Sequence, residues 1–222
     1  MLGWLIAIAV AALIVALADR ATALAVRYLM ATTIQIGTGS AARPAISFAG
    51  RAFLPQFAAG RYREIRVSVG ACAVGGLGLC AVNARLTEVR APLAWLARAR
   101  KASPGQVAIL VGGLDATAVI GLAELSERLP AGLRLLAQGA DLRITGTYLL
   151  MPVRGTLAVT ASRDRIVITP KLRGVSASID FAIALPALPD RLGVASVRVT
   201  DVGLEVDFSG TGVELRNPSA PG

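Results

Sequence analysis

The chain has 222 residues, 55% of them apolar, 17% charged and 5% aromatic, a mix that excludes a disordered polypeptide. Two Cys and no Gly-X-Y period exclude disulfide-dense and collagen-like scaffolds. The formal charge is +9 and histidine is absent, which rules out His/Cys zinc sites and His-dependent triads and dyads.

The charge is unevenly spread. Residues 1–111 hold 12 Lys+Arg against 3 Asp+Glu, whereas residues 112–222 hold 11 of each. A localised positive field points to an anionic partner, either nucleic acid or a lipid surface.

Residues 2–18 (LGWLIAIAVAALIVALA) carry no charge. As a helix they span about 26 Å, just short of a ~30 Å hydrocarbon core. Two readings compete: a signal peptide cleaved after Ala16-Leu17-Ala18, or an uncleaved signal anchor whose helix runs on through Asp19, Arg20 and Arg27. The plain alternative, a buried soluble helix, needs a cover on every side that a small domain does not easily supply. The basic residues follow the apolar run, which by charge alone would keep the C-terminal side in the cytoplasm. A long following domain is translocated largely regardless of its charge, so export is the expectation. An exported chain argues against nucleic acid as the partner.

Residues 21–30 continue the helical pattern through Leu24, Val26 and Leu29, and the Gly/Ser/Pro break at 38–44 marks the helix boundary. Its GTGSAA stretch has no βαβ unit around it and is not read as a dinucleotide turn. Residues 46–60 read as a short strand and a short helix, with Pro55 in the first helical turn. Phe53, Leu54 and Phe57 form one apolar patch there, beside Arg51 and Arg61. Residues 62–71 alternate as a half-buried strand and residues 77–89 return after Gly75-Gly76. Pairing Ile65 with Leu86, Val67 with Ala84 and Val69 with Val82 keeps the apolar faces together.

Pro92 opens a predicted short helix that ends in Arg98, Arg100 and Lys101. A strand over 106–111 follows. Asp115 is the predicted N-cap of a helix reaching Leu129, stopped by Pro130, with Val119, Leu122, Ala123 and Leu129 as its apolar stripe. From Asp141 onward the pattern is strand: 153–161, 165–172, 175–184, 194–200, 204–208 and 213–215. Strands with one covered face, and helices confined to the first 130 residues, give an α+β class with an antiparallel sheet.

No catalytic constellation stands out, so the chain is read as a non-enzyme without cofactor or metal. Asp115, Glu124 and Glu127 read as exposed helical carboxylates. Asp201, Glu205 and Asp207 cluster near the last hairpin, where Glu205 and Asp207 share a strand face and would meet an Arg or a cation. Cys72 and Cys80 flank the Gly75-Gly76 turn. They are either a disulfide, which needs a bulge because the two face opposite ways, or two small apolar free thiols. The most informative set is basic and aromatic: Arg51, Arg61, Arg63, Arg66, Arg98, Arg100 and Lys101 beside Phe53, Leu54, Phe57, Tyr62 and Trp95. It suits a lipid phosphate held next to acyl chains, and equally a solvated face over a core.

Four stretches resemble the LmeA-like phospholipid-binding family of high-GC Gram-positive bacteria, formerly a domain of unknown function. They are Ala18-Asp19-Arg20; Gly50-Arg51-Ala52-Phe53-Leu54-Pro55-Gln56 with Gly60-Arg61-Tyr62-Arg63-Glu64-Ile65; Val89-Arg90-Ala91-Pro92-Leu93; and Leu185-Pro186-Ala187-Leu188-Pro189-Asp190-Arg191-Leu192 with Val197-Arg198-Val199 and Gly203-Leu204. The FL-x-Q…GRY element is the most specific; Pro55 departs from the small polar residue expected there. The resemblance implies a cell-envelope protein on the periplasmic side that binds phospholipid, tied to lipomannan biogenesis. It also implies a tubular lipid-binding fold, a strongly curved antiparallel sheet around a long helix with an apolar groove.

The resulting expectation is a signal helix with its extension (1–30) and one lipid-binding-like domain (31–222). Anionic phospholipid and the membrane are the partners, and no nucleic acid is bound. The lipid would be held by Arg51, Phe53, Leu54, Phe57, Arg61, Tyr62, Arg63, Arg66, Trp95, Arg98 and Arg100. The rival is a membrane-anchored accessory protein that docks an envelope enzyme without lipid cargo.

Overall fold

The apolar N-terminal run opens a single long helix, α1 (Leu2–Thr38), in a computed structural model that describes residues 2–50, 52–74, 76–91, 108–139, 141–148, 151–162, 165–171, 181–185 and 188–216. The helix stops at the expected break. Gly39 follows Thr38 at φ +61°, a left-handed conformation that glycine adopts without a Cβ penalty. The division drawn at residue 30 therefore falls inside α1, and Ala23, Val26 and Ala31 are buried against the sheet that follows.

After α1 come β1 (Ala45–Ala49), α2 (Leu54–Ala59), β2 (Arg61–Val69), β3 (Cys72–Val74), β4 (Leu77–Leu79), β5 (Ala81–Arg90) and β6 (Ala108–Gly121). Then α3 (Leu122–Glu127) leads to β7 (Leu133–Gln138), β8 (Asp141–Tyr148), β9 (Met151–Ala161), β10 (Arg165–Lys171), β11 (Phe181–Ala184), β12 (Leu192–Thr200) and β13 (Gly203–Arg216). Sheet dominates, with few helices. One sheet has the order β1-β2-β5-β6-β13-β12, a second β11-β10-β9-β8-β7, and β3-β4 form a small hairpin. Every ladder among the described residues is antiparallel. Ile65 pairs with Leu86, Val67 with Ala84 and Val69 with Val82, as the alternation predicts.

The helix expected over 115–129 is corrected to a strand for most of its length. Residues 108–121 pair with β5 on one side and β13 on the other, and only 122–127 are helical. Asp115 lies opposite Arg85 and Ser209 and caps nothing. Leu114, Ala116, Ala118 and Ile120 have the strand period, and a central strand's two ladders outweigh the helix propensity of Leu and Ala. The segments 204–208 and 213–215 join into one strand, β13. The short helix expected after Pro92 lies outside the described residues.

Two cores lie on the six-stranded sheet. At one end Ile120, Leu204 and Val206 meet Leu142, Ile144, Leu157, Ile166 and Ile168 of the second sheet. At the other, Ile65, Val89, Val111, Leu114 and Val213 meet α1. Phe208 packs against both. The second core is continuous because the sheet bends. Arg63, Glu88, Gly112 and Gly212 share one row across four strands, and the ladder lapses at each. Glu88 (φ +52°) and Gly212 (φ +62°) are left-handed there. Facing reverses across this row, so Tyr62 and Ile65, Leu86 and Val89, and Val111 and Leu114 all turn toward α1. A Cβ on Gly112 would lie 2.8 Å from that of Glu88, which leaves room only for glycine.

Candidate functional site

The residues of the FL-x-Q…GRY element meet where α1, β1, α2 and β2 converge. Helix α2 is too short to be stable alone, and no side chain of its own caps it. Asp19, on α1, supplies the cap: its Oδ1 accepts hydrogen bonds from the backbone N–H of Phe53 (2.7 Å) and Leu54 (2.5 Å). Gln56 closes the other side. Its Nε2 donates to the carbonyls of Ala52 (2.9 Å) and Ala49 (3.3 Å), and its Oε1 accepts from the N–H of Arg63 (3.1 Å). Gly60 ends α2 at φ +61°. Gly50 (φ +136°) leaves space for Gln56, since a Cβ there would lie 2.2 Å from Nε2.

Within this frame Phe48, Phe53, Phe57 and Tyr62 form one aromatic cluster. Ring centroids are 4.9 Å apart for Phe48–Phe53, 5.6 Å for Phe53–Phe57 and 5.7 Å for Phe48–Tyr62. Phe53 and Tyr62 are buried, Phe57 and Leu54 half-buried. Burial pushes the Tyr62 phenol above its ordinary pKa. The motif is thus a structural latch between α1 and the sheet, and its aromatic members belong to the core under α1.

The expected basic residues stand elsewhere. Arg61, Arg63 and Arg66 are exposed, and Arg61 and Arg63 point to the side of β2 opposite Tyr62. Arg66 is tied to Glu64 (2.5 Å), whose other oxygen accepts from Arg85 (2.8 Å). Arg85, then Arg66, holds the Glu64 carboxyl below its ordinary pKa, and Glu64 in turn raises that of Arg85. Arg51, Trp95, Arg98 and Arg100 lie outside the described residues. The aromatic and basic parts of the expected site, where described, therefore occupy opposite faces. Asp19, Gln56 and Arg27 were not among the expected site residues, although Asp19 and Gln56 stand in the Ala18-Asp19-Arg20 and FL-x-Q stretches that carry the family resemblance.

The acidic cluster of the last hairpin meets an arginine. Arg198 donates to Glu205 (2.6 Å) and Asp207 (2.9 Å), and Asp207 also accepts from Ser196 (2.7 Å) and Thr117 (2.8 Å). The hydroxyls of Ser196 and Thr117 keep the Asp207 carboxyl below its usual value. No group of acidic or Cys residues suited to a metal occurs among the described residues. Cys72 and Cys80 are free thiols, Cys72 buried and paired with Leu79, Cys80 exposed. The disulfide weighed from the sequence is not formed. The carboxylates of these clusters are engaged by arginines and hydroxyls.

Three hollows among the described residues bear on a ligand. A groove of about 620 Å³ crosses the six-stranded sheet along Ile46, Val67, Ala84, Ala116 and Phe208, and its surface is mostly apolar. A second, of about 700 Å³, lies on the five-stranded sheet around Leu136, Arg143 and Arg154. A third, of about 400 Å³, lies between α1 and the β1–α2 loop and is lined by Asp19, Arg20, Arg27, Phe48, Phe53 and Gln56, among others. Above it α1 exposes Leu13, Ile14, Val15 and Leu17, each by about 60%. Among the described residues no helix is long and apolar enough to cross a membrane.

A family model described as LmeA-like phospholipid-binding matches residues 17–209. No curated protein and no solved structure matches the chain.

Proposed function

The chain belongs to the LmeA-like phospholipid-binding family, and on that premise we propose that it is an exported, non-catalytic protein of the cell envelope that holds an anionic phospholipid. The family match carries this reading, because it spans α1 from residue 17 and nearly all of both sheets. The mostly apolar groove across the six-stranded sheet supports it. Its 620 Å³ is within the ~300–1,000 Å³ usual for small-molecule sites. Burial of an acyl chain there would contribute ~0.8 kcal/mol per CH₂. In this reading the six-stranded sheet and α1 form the curved sheet-and-helix unit of a tubular lipid-binding fold. The apolar start of α1, residues 2–18, serves as signal or anchor and holds the domain at the outer side of the membrane. A role in lipomannan biogenesis follows from the family resemblance and is part of the proposal.

The test is lipid retention by the full chain purified in detergent. Native mass spectrometry should show one phospholipid adduct, with phosphatidylglycerol retained better than phosphatidylcholine at low salt. The preference should shrink as salt rises, because exposed charges are screened over ~8–10 Å near physiological ionic strength. A folded chain that retains neither lipid refutes cargo binding and favours an accessory role. Equal retention of both at low salt refutes the anionic preference.

A further inference from the structure

We propose that the hollow between α1 and the β1–α2 loop is a phosphate site that reads the headgroup of a membrane phospholipid, with Arg27 and Arg20 as its cations. The proposal rests on the phospholipid-binding reading and places the phosphate on arginines that are not among the expected lipid-binding residues.

The first observation is an orphan donor. Arg27 Nε is buried and has no hydrogen-bond partner among the described residues. A buried N–H left unmet is costly, and more so on a charged group. The Phe48 ring covers one side of the guanidinium, with the carbon 5.9 Å from the ring centroid. That contact engages the face of the group and leaves its in-plane N–H donors for an oxygen acceptor. A guanidinium is shaped to meet phosphate in this way.

The second observation is unbalanced charge. Arg20 and Arg27 both line the hollow and are seven residues apart, two turns on one helix face. Neither forms an ion pair among the described residues. The one carboxylate present, Asp19, is turned to the Phe53 and Leu54 N–H groups. Among the described residues two cations and one engaged anion line the hollow, an excess of positive charge that suits a phosphodiester monoanion.

The third observation is location. The exposed apolar side chains of α1 run to Leu17. At ~1.5 Å per residue Arg20 lies about 3 Å beyond residue 18 along the axis, and Arg27 about 14 Å beyond it. A headgroup layer adds roughly 5–8 Å to each side of a bilayer core. With residues 2–18 in the bilayer, Arg20 stands at phosphate level and Arg27 about 6–9 Å beyond the headgroup layer. A lipid headgroup, rather than free phosphate, is thus within direct reach of Arg20 and is drawn outward to meet Arg27.

The experiment uses the full chain in dodecyl maltoside, titrated separately with dioleoylphosphatidylglycerol, dioleoylglycerol and inorganic phosphate. The ¹⁵N–¹H resonance of Arg27 Nε is followed, and retained lipid is counted by native mass spectrometry. Phosphatidylglycerol should shift the Arg27 resonance and dioleoylglycerol, which lacks the phosphate, should not. Arg27→Gln and Arg20→Glu should each lower phosphatidylglycerol retention by about tenfold or more. Arg20 is exposed, so its variant tests the site even where loss of the Arg27–Phe48 contact unfolds the chain. Undiminished retention in the Arg20 variant, with an unmoved Arg27 resonance in the wild type, overturns the site while leaving phospholipid binding intact. A wild type that retains no phosphatidylglycerol overturns the function reading instead. A resonance shifted by inorganic phosphate but not by phosphatidylglycerol overturns the assignment to a lipid.

Discussion

Replacing Asp19 by Ala removes the cap of α2 from a residue 34 positions away in sequence. Asp19 Oδ1 accepts two backbone N–H groups, from Phe53 at 2.7 Å and Leu54 at 2.5 Å. Each hydrogen bond to a charged acceptor is worth about 1.5–3 kcal/mol, and losing an N-cap costs about 0.5–2 kcal/mol. The two bonds share one oxygen and Asp19 is partly exposed, so water recovers part of the loss and the terms do not add fully. We expect Asp19→Ala to destabilise the domain by about 2–4 kcal/mol, or about 5–15 °C in Tm for a chain of this size. Asp19→Asn keeps an acceptor oxygen without the charge and should lose about half as much. The assay is thermal and urea unfolding of the full chain in detergent. Asp19→Ala, Gln56→Ala and the double variant together should show a coupling above about 0.5 kcal/mol, because both side chains hold the same loop. A loss below about 0.5 kcal/mol for Asp19→Ala refutes the latch.

Three further outcomes follow from the geometry. Gly50→Ala should destabilise by about 1–3 kcal/mol in the same assay, since it combines a left-handed φ with a Cβ on the Gln56 amide; an unchanged urea midpoint refutes the role given to Gln56. Glu64, Glu124 and Asp207 have lowered folded pKa values, so the unfolded chain binds more protons below about pH 5. Their stabilisation is complete above the ordinary carboxylate range and is lost as pH falls through the lowered values; Glu64→Gln should flatten the acid limb of stability against pH, and an identical limb refutes the Glu64–Arg85 pairing. Cys80 should react with a maleimide in the native state and Cys72 only slowly, because it is buried and burial raises its thiol pKa; no reaction before reduction and two thiols after it would show a disulfide.

Local pattern alone determined the β2–β5 register, the end of α1 at Thr38 and the strand-rich second half. In each case the signal is contained in neighbouring residues: alternation about a turn, a Gly/Ser/Pro break, a period of two. The FL-x-Q…GRY element identified the family from sequence, but as a string of residues without a mechanism. Only the tertiary structure showed that its glycines, Gln56 and aromatics form a latch, because the partners of Gln56 and the cap on Phe53 and Leu54 come from other elements. It also decided residues 115–121, where Ala and Leu fit either period and two flanking ladders select the strand. Arg61, Arg63 and Arg66 lie on a different face from Phe53, Phe57 and Tyr62 for a related reason. Proximity along the chain does not set the face of a sheet, since successive side chains point to opposite sides. Arg27 was invisible as a ligand candidate because a buried donor without a partner is a property of packing. It arises only when Phe48, Asp19 and α1 are brought together, and no spacing in the sequence encodes which of their bonds are left unmade.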